Sequence, residues 1–155
     1  MSILFGQTVT TGVSETTMSA SRETPRVLLV QQPNDDVEMY VEFFSAYGFT
    51  IIVASTLDGA LLAAGDADII VTAIKIDGEK TGIDLIMRLR EDLRTNRKPI
   101  IVLSAAAWQD DRDRAKQAGC DMFLAKPCLP KELLHRVRLL WHARAREVDR
   151  KIAQE

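Results

Sequence analysis

Cysteine is scarce in this chain, and so is net charge. The two thiols, Cys120 and Cys128, form no CxxC pair and have no histidine at metal-ligand spacing. That favours unpaired thiols in a reducing compartment over a disulfide framework or a metal site. With 20 basic and 22 acidic side chains the formal charge is only -2, so no general field is available to hold nucleic acid or an anionic membrane, although local clusters can still act. Long apolar runs are also missing. No stretch reaches the roughly 20 apolar residues of a membrane span, and the opening MSILFGQTVTTGVSETTMSASRETP lacks the basic start and sustained apolar segment of an export leader. These absences predict a cytoplasmic protein with no membrane association. There is no glycine-rich phosphate loop, and neither cysteine has an obvious base beside it, which argues against an enzyme.

What is present is the material for one packed domain: 155 residues, 46% hydrophobic and 27% charged. Residues 1–24 are rich in Ser, Thr and Gly, with Ile3, Leu4 and Phe5 as the only apolar cluster. That is too little to offset the entropy of ordering, and the segment reads as a tail. From Arg26 an alternation begins. RVLLVQ predicts a strand, and Asn34 caps an amphipathic stretch that ends at Gly48. FTIIVA predicts a second strand, with Ser55 and Asp58 in capping-box spacing before a helix closed by Gly65. DIIVTA is a third strand, followed by a polar loop, IKIDGEK. Thr81 and Asp84 then open a helix with Ile83, Ile86, Met87 and Leu93 at helical spacing. PIIVLS, a polar helix ended by Gly119, DMFLAKP and a last helix with Pro130 in its first turn complete five strands and five helices.

The strand runs are continuously apolar, which indicates burial on both faces, and strict β/α alternation implies a parallel sheet. The predicted architecture is a doubly wound α/β sandwich, whose ligands sit at the carboxyl ends of the strands. The predicted boundaries are a tail over 1–24, a domain over 25–140 and a C-terminal extension of the last helix over 141–155.

Five βα units in about 115 residues, the loop ending in TGIDL, and the phrases PIIVLSA and FLAKP occur here in one order and spacing. In this the chain resembles a bacterial response-regulator receiver domain over roughly three quarters of its length. The resemblance implies a flavodoxin-like sheet of order 2-1-3-4-5 and a role in two-component (phosphorelay) signal transduction. It also implies a pocket in which two acidic residues after strand one hold Mg²⁺ and an aspartate ending strand three is phosphorylated. A Ser or Thr on strand four and a Lys ending strand five hold the phosphoryl oxygens. Here the acidic pair is replaced by Gln31 and Gln32. Counting from Asp68, the phosphoacceptor position falls on Ala73, whose methyl group cannot attack phosphorus. Ser104 and Lys126 match the hydroxyl and the lysine, Phe123 matches an aromatic switch position, and the Lys126-Pro127 bond is of a kind commonly cis in the family.

No catalytic residue is therefore expected, and Mg²⁺ should bind weakly or not at all, because neutral amide oxygens do not replace carboxylates for so hard an ion. Lys126 is left to hydrogen-bond Gln31 or an anion. The leading reading is a phosphorylation-independent pseudo-receiver that binds a protein: a histidine kinase, another response regulator or a second copy of itself. The alternative is a phosphorylatable regulator in which Ala73 is an introduced replacement for the acceptor. That accounts for one departure where three occur together. Asp77, four residues on, is a weaker substitute acceptor. His135 and His142, seven apart with no third ligand, read as solvated helix residues.

Trp108 is either a partner anchor or a cover for the sheet edge. The last helix, from about Lys131 to near Ile152, is longer than the domain requires. Leu134, Trp141 and Val148 recur every seven residues, suggesting a dimer or partner interface, or else a simple helical tail. Nucleic-acid binding through Arg136, Arg138, Arg144, Arg146, Arg150 and Lys151 is disfavoured by the interrupting Glu147, Asp149 and Glu155.

Overall fold

Apolar runs of four or five residues build the central sheet. In a computed structural model, residues 24–105 and 108–154 are described; the Ile3, Leu4 and Phe5 cluster lies outside them. The strands are β1 (Arg26–Val30), β2 (Thr50–Ala54), β3 (Ile69–Thr72), a short hairpin of β4 (Lys75–Asp77) and β5 (Lys80–Thr81), β6 (Ile100–Ser104) and β7 (Met122–Ala125). The helices are α1 (Asp35–Ala46), α2 (Leu57–Ala64), α3 (Gly82–Glu91), α4 (Gln109–Ala118) and α5 (Pro130–Gln154). Five strands pair in parallel in the order β2-β1-β3-β6-β7, which is the predicted 2-1-3-4-5 topology.

The side-chain alternation of each strand assigns the two faces of the sheet. Val27 and Leu29 of β1, Ile69 and Val71 of β3, and Ile101 and Leu103 of β6 point to a layer made by Tyr40 and Phe44 of α1 and by Leu133, Leu134 and Val137 of α5. Leu28, Val30, Ile70, Ile100 and Val102 point the other way, against Ala60 and Ala64 of α2, Ile83, Leu85, Ile86 and Leu89 of α3, and Ala115 of α4. Both faces of the three inner strands are thus covered, which is why their sequences are continuously apolar. β2 is an edge strand, and Val53 on it remains 48% exposed.

Local details differ from the sequence expectations in four places. The cap of α2 is Thr56, whose Oγ1 accepts from the Gly59 amide at 2.9 Å, and Ser55 lies one residue outside it. Within α3, Ile83 and Ile86 are buried, but Met87 is half exposed and Leu93 falls beyond the helix and points to solvent. Leu85 and Leu89 take their places, because the face begun at Gly82 returns at three and four residues. The loop IKIDGEK carries the β4/β5 hairpin, turned at Gly78, whose φ of 58° falls in the left-handed region. Leu134, expected on an interface, is a core residue at 4% exposure. The Asn34 cap on the Val37 amide and the Thr81/Asp84 capping box occur as expected.

Gly82 is required by close approach. Its amide donates to the Ile74 carbonyl at 2.6 Å, and a Cβ there would overlap the Ala73 carbonyl oxygen and lie 3.2 Å from Thr72 Oγ1. Gly82→Ala should destabilise the fold by about 2 kcal/mol despite alanine's better helix propensity. Urea denaturation with an unchanged midpoint would contradict this packing.

Tyr40 is buried in α1, and its hydroxyl donates to the Cys128 carbonyl at 2.6 Å. Burial, followed by Cys128 and Asp36, pushes the phenol up from 10.0 to about 12. The raised folded value means that this contribution is whole below pH 10 and is lost as pH rises through about 12. Tyr40→Phe should therefore cost about 1 kcal/mol at neutral pH. The deficit relative to the parent protein should narrow at strongly alkaline pH, as measured by parallel denaturation series. A deficit independent of pH would contradict the assignment.

Candidate functional site

The parallel register sets four strand ends side by side. Val30 pairs with Thr72 and Ser104 with Ala125, so Gln31, Ala73, Ser104 and Lys126 arrive together at the carboxyl edge. Backbone bonds extend the ladder past the strands: the Ala73 amide donates to the Val30 carbonyl at 2.9 Å, Gln31 to Ala54 at 3.1 Å and Lys126 to Ser104 at 3.0 Å. The site straddles β1 and β3, where the strand order reverses, as ligand sites do in open α/β sheets.

The resulting cleft, about 220 Å³, is lined by Gln31, Gln32, Asn34, Ala73, Lys75, Leu103, Ser104, Ala105 and Lys126. Among the described residues, two ammonium groups and no carboxylate line it. Gln31 is buried, whereas Gln32 faces solvent. The Lys126 side chain, 15% exposed, donates to Gln31 Oε1 at 3.0 Å and meets Asp36 Oδ2 at 3.3 Å. Gln31 Nε2 in turn donates to the Leu103 carbonyl at 3.4 Å. The amide is thus oriented with its oxygen toward the ammonium and its nitrogen toward the main chain. Ser104 is buried at the end of β6. The Lys126-Pro127 bond is cis. Phe123 lies partly buried under Arg112, whose guanidinium carbon is 4.7 Å from the ring centroid.

The chemistry available follows from this set. Ala73 offers no nucleophile, and Asp77, exposed on the β4/β5 hairpin, is not among the residues lining the cleft. The donor set does not fit Mg²⁺. The one buried amide oxygen, on Gln31, already accepts from an ammonium, and a hard dication placed there would face Lys126 with only the half-exposed Asp36 carboxylate, already paired to that lysine, beside it. Burial raises both thiols, Cys120 and Cys128, above their ordinary value, which holds them in the poorly nucleophilic protonated form. His135 and His142 are both exposed on α5. Among the described residues no cluster of three or more His, Cys, Asp or Glu could hold a metal, and no helix is long and apolar enough to cross a membrane.

The structure brings together Gln31, Gln32, Ala73, Ser104 and Lys126; Phe123 lies on β7, three residues before the lysine. Three participants were not anticipated as such: Asp36 as the partner of Lys126, and Asn34 and Lys75 in the lining. Asp36 follows the helix cap, so its position in the first turn was legible, but not its reach across to β7. The proposed interface residues do not form one patch. Trp108 precedes α4 and is 74% exposed, so it does not cover the sheet edge. Trp141 is partly buried against the core, and Val148 is 44% exposed further along α5. Part of the basic face is already engaged: Arg136 pairs with Glu132 at 2.8 Å, Lys151 with Glu147 at 3.5 Å, and Arg138 lies 5.7 Å from the rings of Tyr47 and Phe49.

Comparison with known proteins agrees with this geometry. Residues 27–138 match the family model of the response regulator receiver domain. The transcriptional regulatory protein CpxR of Escherichia coli (strain K12) is 30% identical over 116 residues, covering 74% of this chain and 48% of CpxR. The phosphate regulon transcriptional regulatory protein PhoB of the same strain is 29% identical over 115 residues, 73% of this chain and 50% of PhoB. The chain thus spans about half the length of these curated relatives. Among solved structures, the receiver domain of the Francisella response regulator 1452 superposes with a TM-score of 0.68 at 26% identity, over 77% of this chain and 98% of that one. The receiver domain of the Pseudomonas aeruginosa PAO1 sensor histidine kinase PA1611, with a magnesium ion coordinated in its active site cleft, gives 0.67 at 25% identity, over 74% and 95%. The Vibrio cholerae chemotaxis protein CheY4 shares the fold with a TM-score of 0.68 at 22% identity, over 74% and 97%. The chain belongs to the response-regulator receiver domain family of two-component signal transduction.

Proposed function

We propose that this protein is a degenerate receiver, a cytoplasmic pseudo-receiver that acts by binding another protein and not by accepting a phosphoryl group. The observation that carries this reading is the cleft at the ends of β1 and β3, where Ala73 stands at the acceptor position and the described lining residues include Lys75 and Lys126 but no carboxylate. Phosphoryl transfer to an aspartate needs the nucleophile and a cation to draw charge from the leaving group. Both requirements fail here on residue identity. The lysine that would hold phosphoryl oxygens is instead bound to Gln31 and Asp36. The protein is accordingly a non-enzymatic module, whose partners are expected among histidine kinases, other response regulators or copies of itself. Nucleic-acid binding is disfavoured because acidic residues break up the basic face of α5.

Incubation with acetyl phosphate and Mg²⁺ should give no phosphorylated species by intact mass or phosphate-affinity electrophoresis. Robust labelling that disappears with Asp77→Asn would overturn the reading. Ala73→Asp alone should not recover Mg²⁺-dependent labelling, whereas Gln31→Asp, Gln32→Asp and Ala73→Asp together should bind Mg²⁺ measurably by calorimetry. Full labelling of the single variant would show that the glutamine pair is not the obstacle assumed here.

A further inference from the structure

α5 runs for 25 residues, yet its buried residues are Leu133, Leu134 and Val137, all in the first third. Leu140 and Trp141 are the last side chains that pack against the core. The helix beyond them, residues 142–154, extends about 20 Å at 1.5 Å per residue. Helix formation alone does not explain an apolar stripe there. Trp141, Ala145, Val148 and Ile152 are spaced four, three and four residues apart, the repeat of a two-helix seam. Val148 is 44% and Ile152 65% exposed, so nothing among the described residues covers this part of the stripe.

The charges beside the stripe indicate what covers it. With Trp141 and Val148 in one seam position and Ala145 and Ile152 in the other, Arg144 and Lys151 precede the seam residues on one side, and His142 and Asp149 follow them on the other. When two such helices lie parallel and in register, each flanking residue on the first side meets the residue five further along on the neighbouring helix. Arg144 then faces Asp149 of the partner subunit, and the symmetry repeats the pair. An antiparallel arrangement brings the flanks of one side together and sets Arg144 toward a second basic flank. Among the described residues, neither Arg144 nor Asp149 has an ion pair within its own chain, whereas Lys151 is tied to Glu147 and Arg136 to Glu132.

We infer that the C-terminal part of α5, from Trp141 to Ile152, is a self-association surface that pairs two copies of this chain through parallel, in-register helices locked by Arg144 and Asp149. This names one partner for the binding role proposed above, but it depends on the helix and not on the phosphorylation cleft. The two proposals can therefore fail separately. The seam is shorter than two heptads, so the association is weak and concentration-dependent.

Sedimentation equilibrium of the full chain across a concentration series should show a monomer–dimer equilibrium. Val148→Lys and Ile152→Lys, both at exposed positions, should abolish the dimer without changing the circular dichroism spectrum. Arg144→Glu should weaken it about tenfold at low salt. Adding Asp149→Arg to that variant should bring the affinity back, because the pair is reversed and not lost. A chain that is monomeric at every concentration would overturn the inference, as would a dimer indifferent to Val148→Lys. Tighter association on Arg144→Glu would overturn the parallel register, since that change relieves repulsion only between antiparallel helices.

Discussion

Parallel pairing of β1, β3, β6 and β7 is the constraint on which the rest of the molecule depends. Because the register of the inner strands β1, β3 and β6 is fixed by two buried faces, a slip of one residue would turn every apolar side chain to the wrong layer. The strand ends therefore cannot drift, and Gln31, Ala73, Ser104 and Lys126 are held in one row regardless of what chemistry they perform. The scaffold and the pocket are coupled through the backbone. This explains how the pocket geometry holds with Gln31 and Ala73 in the row, whatever side chains occupy those positions. Gly82 shows the same coupling in another way, since the start of α3 is drawn against the Ala73 carbonyl too tightly for any side chain.

With Gln31, Gln32 and Ala73 around it, Lys126 poses an electrostatic problem that the structure answers locally. A mostly buried ammonium without a partner is costly. In a receiver with its acidic residues in place, Lys126 would have anionic neighbours around the cleft. Here it takes one neutral oxygen from Gln31 and one half-exposed carboxylate from Asp36, at 3.0 and 3.3 Å. Gln31 is suited to this role because it can accept from the lysine and donate to the Leu103 carbonyl at the same time. An aspartate at that position could not donate. The glutamine is therefore more than a missing acid: it is a satisfied member of a small polar network, and such networks are stable when every member has its partner.

The parts of this fold that were legible in the sequence are those governed by periodicity and local caps. The apolar runs gave the five main strands, and Asn34, Thr81, Asp84 and Gly119 gave helix ends, because those signals act over three or four residues. The choice between Ser55 and Thr56 as a cap was not decidable, since both carry hydroxyls and only the backbone path selects one. Leu93 illustrates the opposite failure. It keeps helical spacing with Ile86, but the backbone turns extended at Asp92 before reaching it. Of the site, the identities at Gln31, Gln32, Ala73, Ser104 and Lys126 followed from position along the chain. The Lys126–Asp36 contact, 90 residues apart in sequence, required the packing of α1 against the connection from β7 to α5.

Leu134 separates what α5 does inside the domain from what it does beyond it. Its seven-residue spacing to Trp141 and Val148 suggested a single continuous surface, yet Leu134 is core, Trp141 is the margin and Val148 faces solvent. A straight helix drifts by about 20° per heptad relative to a strict seven-residue repeat, so a stripe aligned with the core at its start need not stay aligned after leaving it. The same sequence period thus serves two different burials. The first is fixed by the sheet and stabilises the fold, while the second has no cover among the described residues. An apolar face that continues past the packed part of its helix is exposed to whatever surface meets it, and in a two-helix seam the flanking charges select the orientation.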